Sequence, residues 1–239
     1  MTFRPRTILF ALCFATSPLA AQGSTPPAQV GALPDQSPFR DLEDGQRFGL
    51  VAGIWSFGHD PVNVGPNGTS PAFGLRYDLY LGGPAYFSVQ ALSGSVVRNV
   101  IDYLKHPASR LVGTQSSVLT DVNAGLTIAL TGARSWHHVQ PLVNFGLGMM
   151  FDAGDSQGDV SGFAVKPALS LNTGMGVRWI TSKNSELRAD LALAFWQLKY
   201  PQNYRSTDAD PQAVYPTGSL SPWTVNKTVT LGWTWRVFK

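Results

Sequence analysis

From Arg47 onward, apolar and polar residues alternate along the chain with a period of two, a pattern typical of β-strands with one apolar and one polar face. Within the segment 72–82, for example, Leu75 and Leu79 share one face, and Arg76 lies on the other. The helical period of 3.6 residues hardly appears. The pattern predicts an all-β chain with eight strands, at 47–57, 72–82, 85–97, 116–131, 137–151, 161–181, 185–200 and 223–238.

The links between the predicted strands alternate in length. Three are short and rich in turn residues, at 82–84, 132–135 and 182–184. Four are longer and polar, at 58–71, 98–115, 152–160 and 201–222. Short turns at one end and long loops at the other are expected of an antiparallel up-and-down transmembrane β-barrel, with the turns in the periplasm and the loops outside the cell.

A soluble β-sandwich or a lipocalin-like barrel shows the same alternation, so other features must separate these classes. The polar faces are rich in Gly, Ser, Thr and Asn, as suits the crowded interior of an eight-stranded barrel. Charged residues make up 14% of the chain, against about 25% in soluble domains. The predicted strands are also longer than the roughly 5–6 residues usual in soluble proteins. These features favour a barrel that spans a membrane.

Large aromatic residues gather at both ends of the apolar faces, where aromatic rings prefer the interfaces between membrane and water. The predicted aromatic girdle comprises Phe48, Phe73, Phe87, Phe151, Phe163, Trp179, Phe195, Trp223 and Trp235.

We expect a signal peptide at 1–21, because Arg4 and Arg6 precede an apolar stretch that ends in small residues. The only cysteine, Cys13, lies inside this segment. An exported mature chain would therefore have no disulfide, no thiol nucleophile and no cysteine-based metal site.

The segment 22–45 is rich in proline and poor in apolar residues, which predicts a flexible periplasmic tail before a barrel at 46–239. Without the signal, the chain is close to neutral and its basic residues are scattered, so that a nucleic-acid footprint is absent.

The last strand carries a pattern of the form polar-x-Gly-x-x-aromatic-x-hydrophobic. The residues that match it, with the phenylalanine that follows, are Thr230, Gly232, Trp235, Val237 and Phe238. With the export signal and eight alternating strands, the chain resembles the small, porin-like OmpA/OmpX-type barrels of Gram-negative outer membranes. The resemblance implies that this strand is an insertion signal for the barrel-assembly machinery. It also implies a location in the cell outer membrane, with outer-membrane lipid and lipopolysaccharide as partners. Family members usually end in Phe, whereas Lys239 follows here.

Charged residues also fall on the polar faces, and these predict a lumen charge network inside the barrel. Its expected members are Arg76, Asp78, Asp121, Lys166, Arg178, Arg188, Asp190 and Arg236. Charges of both signs in a narrow interior should pair, because an unpaired buried charge is costly. We expect these charges to form a structural network of salt bridges that fills the interior, and a narrow solute channel stays an alternative.

A His/Asp/Ser acyl-transfer site at the outer rim is the enzymatic alternative, as resemblance to lipid A-modifying barrels would imply. Its candidates are His59, Asp60, Asp102, His106 and Ser109. The sequence shows no group that would orient the histidine, so we predict no catalytic, cofactor-binding or metal-binding residue. The expected role is non-catalytic: structural, surface-interaction or small-solute.

Overall fold

The computed structural model describes residues 37–42, 45–153, 160–205, 213–215 and 218–238. The expected signal peptide and most of the expected tail lie outside these residues. The strands are β1 (Phe39–Asp41), β2 (Gln46–Ser56), β3 (Pro66–Asn67), β4 (Thr69–Gly82), β5 (Ala85–Ile101), β6 (Leu111–Ala129), β7 (Arg134–Trp136), β8 (Val139–Asp152), β9 (Ala168–Ile180), β10 (Ser185–Gln197) and β11 (Trp223–Phe238). Two short 3-10 helices lie at Pro107–Ser109 and Gln202–Arg205. None of the described residues forms a helix long and apolar enough to cross a membrane.

Eight of these strands form a closed antiparallel ring. Each strand pairs with the next long strand along the chain, in the order β2, β4, β5, β6, β8, β9, β10 and β11. The ring closes between β11 and β2, whose register runs from Lys227 opposite Ser56 to Phe238 opposite Gln46. Closure removes the free sheet edges around the ring. The predicted eight-stranded up-and-down barrel is confirmed.

The strand predicted at 161–181 begins only at Ala168. Pro167 immediately before it has no N–H for a strand ladder, and Gly162 has a left-handed backbone with φ of 65°. The intervening segment therefore leaves the wall. Phe163 and Val165 turn into the protein interior instead of lying on its outer face.

Part of the expected flexible tail forms a strand. β1 pairs with β7 in the link between β6 and β8, with Phe39 opposite Trp136 and Asp41 opposite Arg134. Backbone pairing of this kind needs no apolar face, so the composition of the segment gave no sign of it. The link after β6 is accordingly longer than the tight hairpin turn predicted there.

The wall of the barrel is apolar outside and polar inside. Leu75, Leu126 and Leu191 face outward and are each 46–47% exposed, while Arg76 and Asp190 are buried. A soluble barrel has the opposite arrangement, because its apolar side chains converge in a dry centre. The orientation expected from the alternation is therefore present.

The interior has two unlike halves, one polar and one apolar. The half near the short turns contains buried charged and amide side chains. The half near the long loops is filled by an apolar cluster, here called the plug. Its buried members are Val51, Trp55, Val64, Ala72, Leu92, Val96, Ile101, Leu119, Met150, Phe163, Val165, Ala168, Trp196, Leu198, Tyr200 and Tyr204. The alternation predicted polar residues along the whole interior and did not indicate this apolar cluster.

The β5–β6 hairpin continues past the neighbouring strands at the long-loop end. β6 last pairs with β8 at Leu119, opposite Asp152. Its ladder with β5 runs on through seven further rungs, as far as Leu111 opposite Ile101. At about 3.4 Å per residue, these seven rungs extend the hairpin roughly 24 Å beyond that point.

Candidate functional site

Four buried charges form a connected group in the polar half of the interior, here called the charge network: Arg76, Asp78, Arg188 and Asp190. Arg76 donates to Asp190 at 2.5 Å, and the Nε of Arg188 donates to both oxygens of Asp190 at 2.9 and 3.1 Å. A second guanidinium nitrogen of Arg188 lies 3.2 Å from Asp78. Two cations and two anions balance, which lowers the cost of burying them.

Neutral side chains satisfy the remaining hydrogen-bonding groups of the charge network. Gln90 accepts a hydrogen bond from Arg76, and Ser88 donates to Asp78. Asn144 donates to Asp190 at 3.0 Å and accepts from Arg188 at 2.8 Å. Gly176 leaves the space that the carboxylate fills, because a Cβ there would lie 2.2 Å from an oxygen of Asp190.

A second charged group, closer to the short turns, centres on Glu186. Its carboxylate lies 3.0 Å from Arg178 and 3.3 Å from Arg47, and it accepts a hydrogen bond from Thr234 at 3.0 Å. Both guanidinium groups also lie over the ring of Tyr86, at 4.5 and 5.9 Å from its centroid. The sequence analysis missed Glu186 and Arg47. Each lies at an alternate position with the inward-facing residues of its strand, β10 or β2, and this alternation could have predicted that both face the interior.

Three predicted members of the lumen charge network lie outside these pairings. Lys166 is exposed and precedes β9, because the wall strand starts at Ala168, seven residues later than the alternation predicted. Arg236 is half-buried at the short-turn end, where it donates to Asn184 at 2.8 Å. Asp121 is inside the barrel, but no ion pair among the described residues includes it.

The predicted girdle residues lie outward at the two ends of the wall, with one exception. Phe48, Phe87, Trp179 and Trp235 are at the short-turn end, and Phe73, Phe151, Phe195 and Trp223 are at the long-loop end. The exception is Phe163, which is only 2% exposed and packs in the plug. The early end of its predicted strand explains the difference.

The C-terminal pattern falls on β11, the strand that closes the ring. Thr230 and Gly232 face inward, and Trp235, Val237 and Phe238 are exposed on or beyond the outer face. The register with β2 shifts between Arg236 and Phe238 at its end.

The long-loop end of the plug is fastened by Asp60, in the loop after β2. Its carboxylate accepts hydrogen bonds from the backbone N–H groups of Val62 at 3.0 Å, Val64 at 2.7 Å and Gly65 at 2.6 Å. It also accepts one from the hydroxyl of Tyr200, in the loop after β10. Burial, together with this carboxylate, raises the pKa of the Tyr200 hydroxyl. One buried side chain thus joins two long loops over the barrel end.

Replacing Asp60 with asparagine should loosen these loops. An amide has only one acceptor oxygen for the four donors, so that buried N–H groups lose partners at a cost of about 1–3 kcal/mol. We expect proteinase K to cleave the loops of the folded variant about 5- to 150-fold faster than wild type. The exposed neighbour His59 supplies the control, since His59→Ala should leave the cleavage rate unchanged. An unchanged rate in Asp60→Asn would show that the carboxylate does not hold the loops.

The candidate residues of the acyl-transfer alternative do not form a His/Asp/Ser site. Asp60 is occupied by the contacts above, and His59 is exposed. Ser109 donates to the backbone oxygen of His106 rather than to an imidazole, and Asp102 lies 3.7 Å from Lys105. Among the described residues, no group of three or more His, Cys, Asp or Glu is placed to hold a metal ion.

The interior as a whole is arranged to fill space. Paired charges occupy the short-turn half, and the plug occupies the long-loop half. Its largest side chains, Trp55 and Trp196, are each 2% exposed. These salt bridges and packed aromatic rings occupy interior space that a water column would need.

Comparison with solved structures finds barrels of similar architecture at low sequence identity. Neisserial surface protein A (NspA) is 11% identical, with a TM-score of 0.48 over 84% of this chain and 98% of that chain. Ail, the attachment invasion locus protein of Yersinia pestis, is 12% identical, with a TM-score of 0.41 over 82% and 100% of the two chains. The N-terminal β-barrel domain of Pseudomonas aeruginosa OprF is 12% identical, with a TM-score of 0.37 over 81% and 99%. No protein-family model and no curated protein matches the sequence. The eight-stranded antiparallel barrel of this chain is established by its own strand pairing.

Proposed function

We propose that this chain is exported to the cell outer membrane and acts there without catalysis, as a closed barrel that presents an interaction surface outside the cell. The observation that carries the surface role is the β5–β6 hairpin, which extends past the neighbouring strands at the long-loop end.

The outer face of the wall supports a membrane location. Its large exposed hydrophobic side chains are leucine, valine, isoleucine, methionine and aromatic residues, with aromatic rings near both ends. An exposed apolar band of this extent is costly in water and is stabilising in hydrocarbon. Lys227 is the charged side chain on the outer face of β11 near the long-loop end, where a lysine can extend its ammonium group toward the lipid headgroups.

In the proposed location, the barrel wall would contact lipids and the assembly machinery of the outer membrane. Outer-membrane lipid would surround the apolar band, and lipopolysaccharide would meet the long-loop end. The pattern from Thr230 to Phe238 on β11 would serve as the signal for the barrel-assembly machinery. Its place beside β2 is consistent with that role, because the pairing of these strands completes the ring.

Cysteine labelling in whole cells tests the proposed topology. Thr114 lies exposed on the projecting hairpin, and Ser182 lies exposed in the turn between β9 and β10. With the signal segment removed, each single cysteine variant would carry one thiol. We expect a membrane-impermeant maleimide to label Thr114→Cys in intact cells and Ser182→Cys only after the outer membrane is permeabilised. The reverse result, or labelling of both in intact cells, contradicts the proposal.

The hairpin offers a strand edge for an interaction partner. On the β5 side, β3 pairs with Val97 and Arg98. On the other side, no described residue pairs with the stretch 111–117 of β6. The carbonyl of Val118 accepts from Ala153, at the side of β6 that faces β8. Alternate residues point their backbone groups to the same side, so those of Thr114 also face this edge. The stretch 111–117 is uncharged, and such an edge can accept an extended peptide as an added strand.

A proline at the open edge tests the surface role. Thr114→Pro removes one outward N–H without removing a bond to β5, whereas Thr114→Ala keeps that N–H. We expect a phage-displayed peptide library, panned on the barrel in nanodiscs, to yield peptides that bind wild type and Thr114→Ala. Binding to Thr114→Pro should fall at least tenfold, the equivalent of about 1.4 kcal/mol. Peptides that bind all three proteins equally, or a library that yields none, would count against the hairpin.

A further inference from the structure

Asp121 differs from Asp78, Asp190 and Glu186, which are also buried inside the barrel wall. It is 5% exposed and lies on β6, opposite Leu92 on one side and Met150 on the other. Its hydrogen-bond donors are neutral: the amide of Asn123 at 2.9 Å and the hydroxyl of Ser170 at 3.3 Å. Two hydrogen bonds from neutral groups leave a buried negative charge uncompensated.

The negative charge of each of these three carboxylates is balanced by arginine. Asp78, Asp190 and Glu186 each lie within 3.3 Å of at least one arginine nitrogen. Asp121 lies nearer the long-loop end than these three, at the junction between the charge network and the plug. Its neighbours Leu92 and Met150 are plug residues and carry no charge.

A cavity of about 60 Å³ adjoins Asp121. A buried water needs roughly 10–15 Å³ of such space, so the cavity has room for a few waters or for a small ion with part of its hydration shell. Residues whose side chains carry oxygens suited to a hard cation line it from several strands. The residues that supply them are Asp121, Asn123, Asn144, Asn172, Thr228 and Thr230.

The charge around the cavity sets the charge of an ion that would fit. Arg76, Asp121 and Asp190 are the charged residues that line it, which gives one cation against two anions. One added positive charge would neutralise this lining, whereas a divalent ion would leave an excess positive charge in a poorly solvated interior. We propose that the cavity beside Asp121 binds a single monovalent alkali cation, with sodium as the test ion. This site is independent of the surface role proposed above.

Ion-dependent folding tests the site. The full chain is refolded from urea into detergent micelles in sodium chloride or in choline chloride at equal ionic strength, so that the ion can enter before the wall closes. The folded fraction is read from tryptophan fluorescence. For one site, the ratio of folded to unfolded protein rises about tenfold for each tenfold increase in sodium above Kd. We expect this slope for wild type in sodium and none in choline, whose cation is too large for the cavity.

Two carboxylate-to-amide variants test whether the sodium dependence of folding arises at Asp121. Asp121→Asn should lose the sodium dependence, because the amide carries no charge for the ion to neutralise. Glu186→Gln is the matched control: it is also a buried carboxylate but does not line the cavity, so it should keep the wild-type slope. Equal folding of wild type in the two salts overturns the proposal. A sodium slope that persists in Asp121→Asn overturns it as well.

A direct measurement on wild type covers the case in which Asp121→Asn fails to fold. Thallium(I) is a monovalent cation with a strong anomalous X-ray signal, and crystals of the barrel grown with it should show an anomalous peak beside the Asp121 carboxylate. Data from such crystals without a peak in the cavity would overturn the site.

Discussion

Replacing Asp190 with alanine is expected to destabilise the folded barrel by roughly 3–5 kcal/mol. This carboxylate joins both arginines of the charge network, with Arg76 at 2.5 Å and Arg188 at 2.9 Å. Its removal leaves two buried guanidinium groups to share Asp78. The cost therefore includes the unpaired charge that remains, as well as the loss of the hydrogen bonds.

The measurement is equilibrium unfolding in urea, with the barrel in lipid vesicles and folded protein identified by its faster migration on an unheated gel. Asp41→Ala is the control, because the pair between Asp41 and Arg134 is also short, at 2.8 Å, but is largely exposed. Exposed pairs contribute at most about 1 kcal/mol. A loss in Asp190→Ala no larger than the loss in Asp41→Ala would show that the charge network does not stabilise the barrel.

The alternation predicted which residues face inward, but not which of them would meet. Arg188 and Asp78 are 110 positions apart and contact each other across the interior. Such a contact depends on the stagger of all the strands between them, which is a property of the closed ring. The sequence therefore predicted a set of interior charges that included all four members of the charge network, while their pairing required the structure.

The plug shows a second limit of what the alternation can predict. In β2, Arg47, Val51 and Trp55 all share the inward parity, so the same period that placed charges inside also placed apolar side chains there. What the period does not give is the contact of Trp55 with residues of distant loops. Lys166 and Phe163 were misplaced for a simpler reason: parity holds only while a strand continues, and this strand begins at Ala168.

The arrangement of the loops at the long-loop end could not be predicted, because it depends on contacts between residues far apart in the sequence. Asp60 and Tyr200 are 140 positions apart, and nothing in either segment indicates the other. The edge of β6 that no described residue pairs with is likewise a consequence of where the β6–β8 ladder ends. The features proposed to act at the surface are thus the ones that the sequence predicted least well, because loops are held by long-range contacts.

An arginine in place of Leu191 should reveal what surrounds the wall. Leu191 faces outward on β10, midway between Leu187, which pairs with Trp179 of one girdle, and Phe195 of the other. If the wall lies in a bilayer, Leu191 is near its midplane, where an arginine costs about 2–4 kcal/mol. If water surrounds the wall, the same change replaces a half-exposed residue at a surface and should cost within about 0.5 kcal/mol.

The two cases separate in urea titrations of the barrel folded into lipid vesicles. Leu191→Ala measures the loss of the side chain alone, and Leu81→Arg places the same charge at the short-turn end of β4, where Leu81 is also exposed. An interfacial arginine should cost about 0–1 kcal/mol, because its guanidinium can reach the headgroups and water. We therefore expect Leu191→Arg to lose at least about 2 kcal/mol more than Leu81→Arg. Equal losses at the two positions would mean that the apolar band does not face hydrocarbon, and the membrane location would have to be abandoned together with the surface role that depends on it.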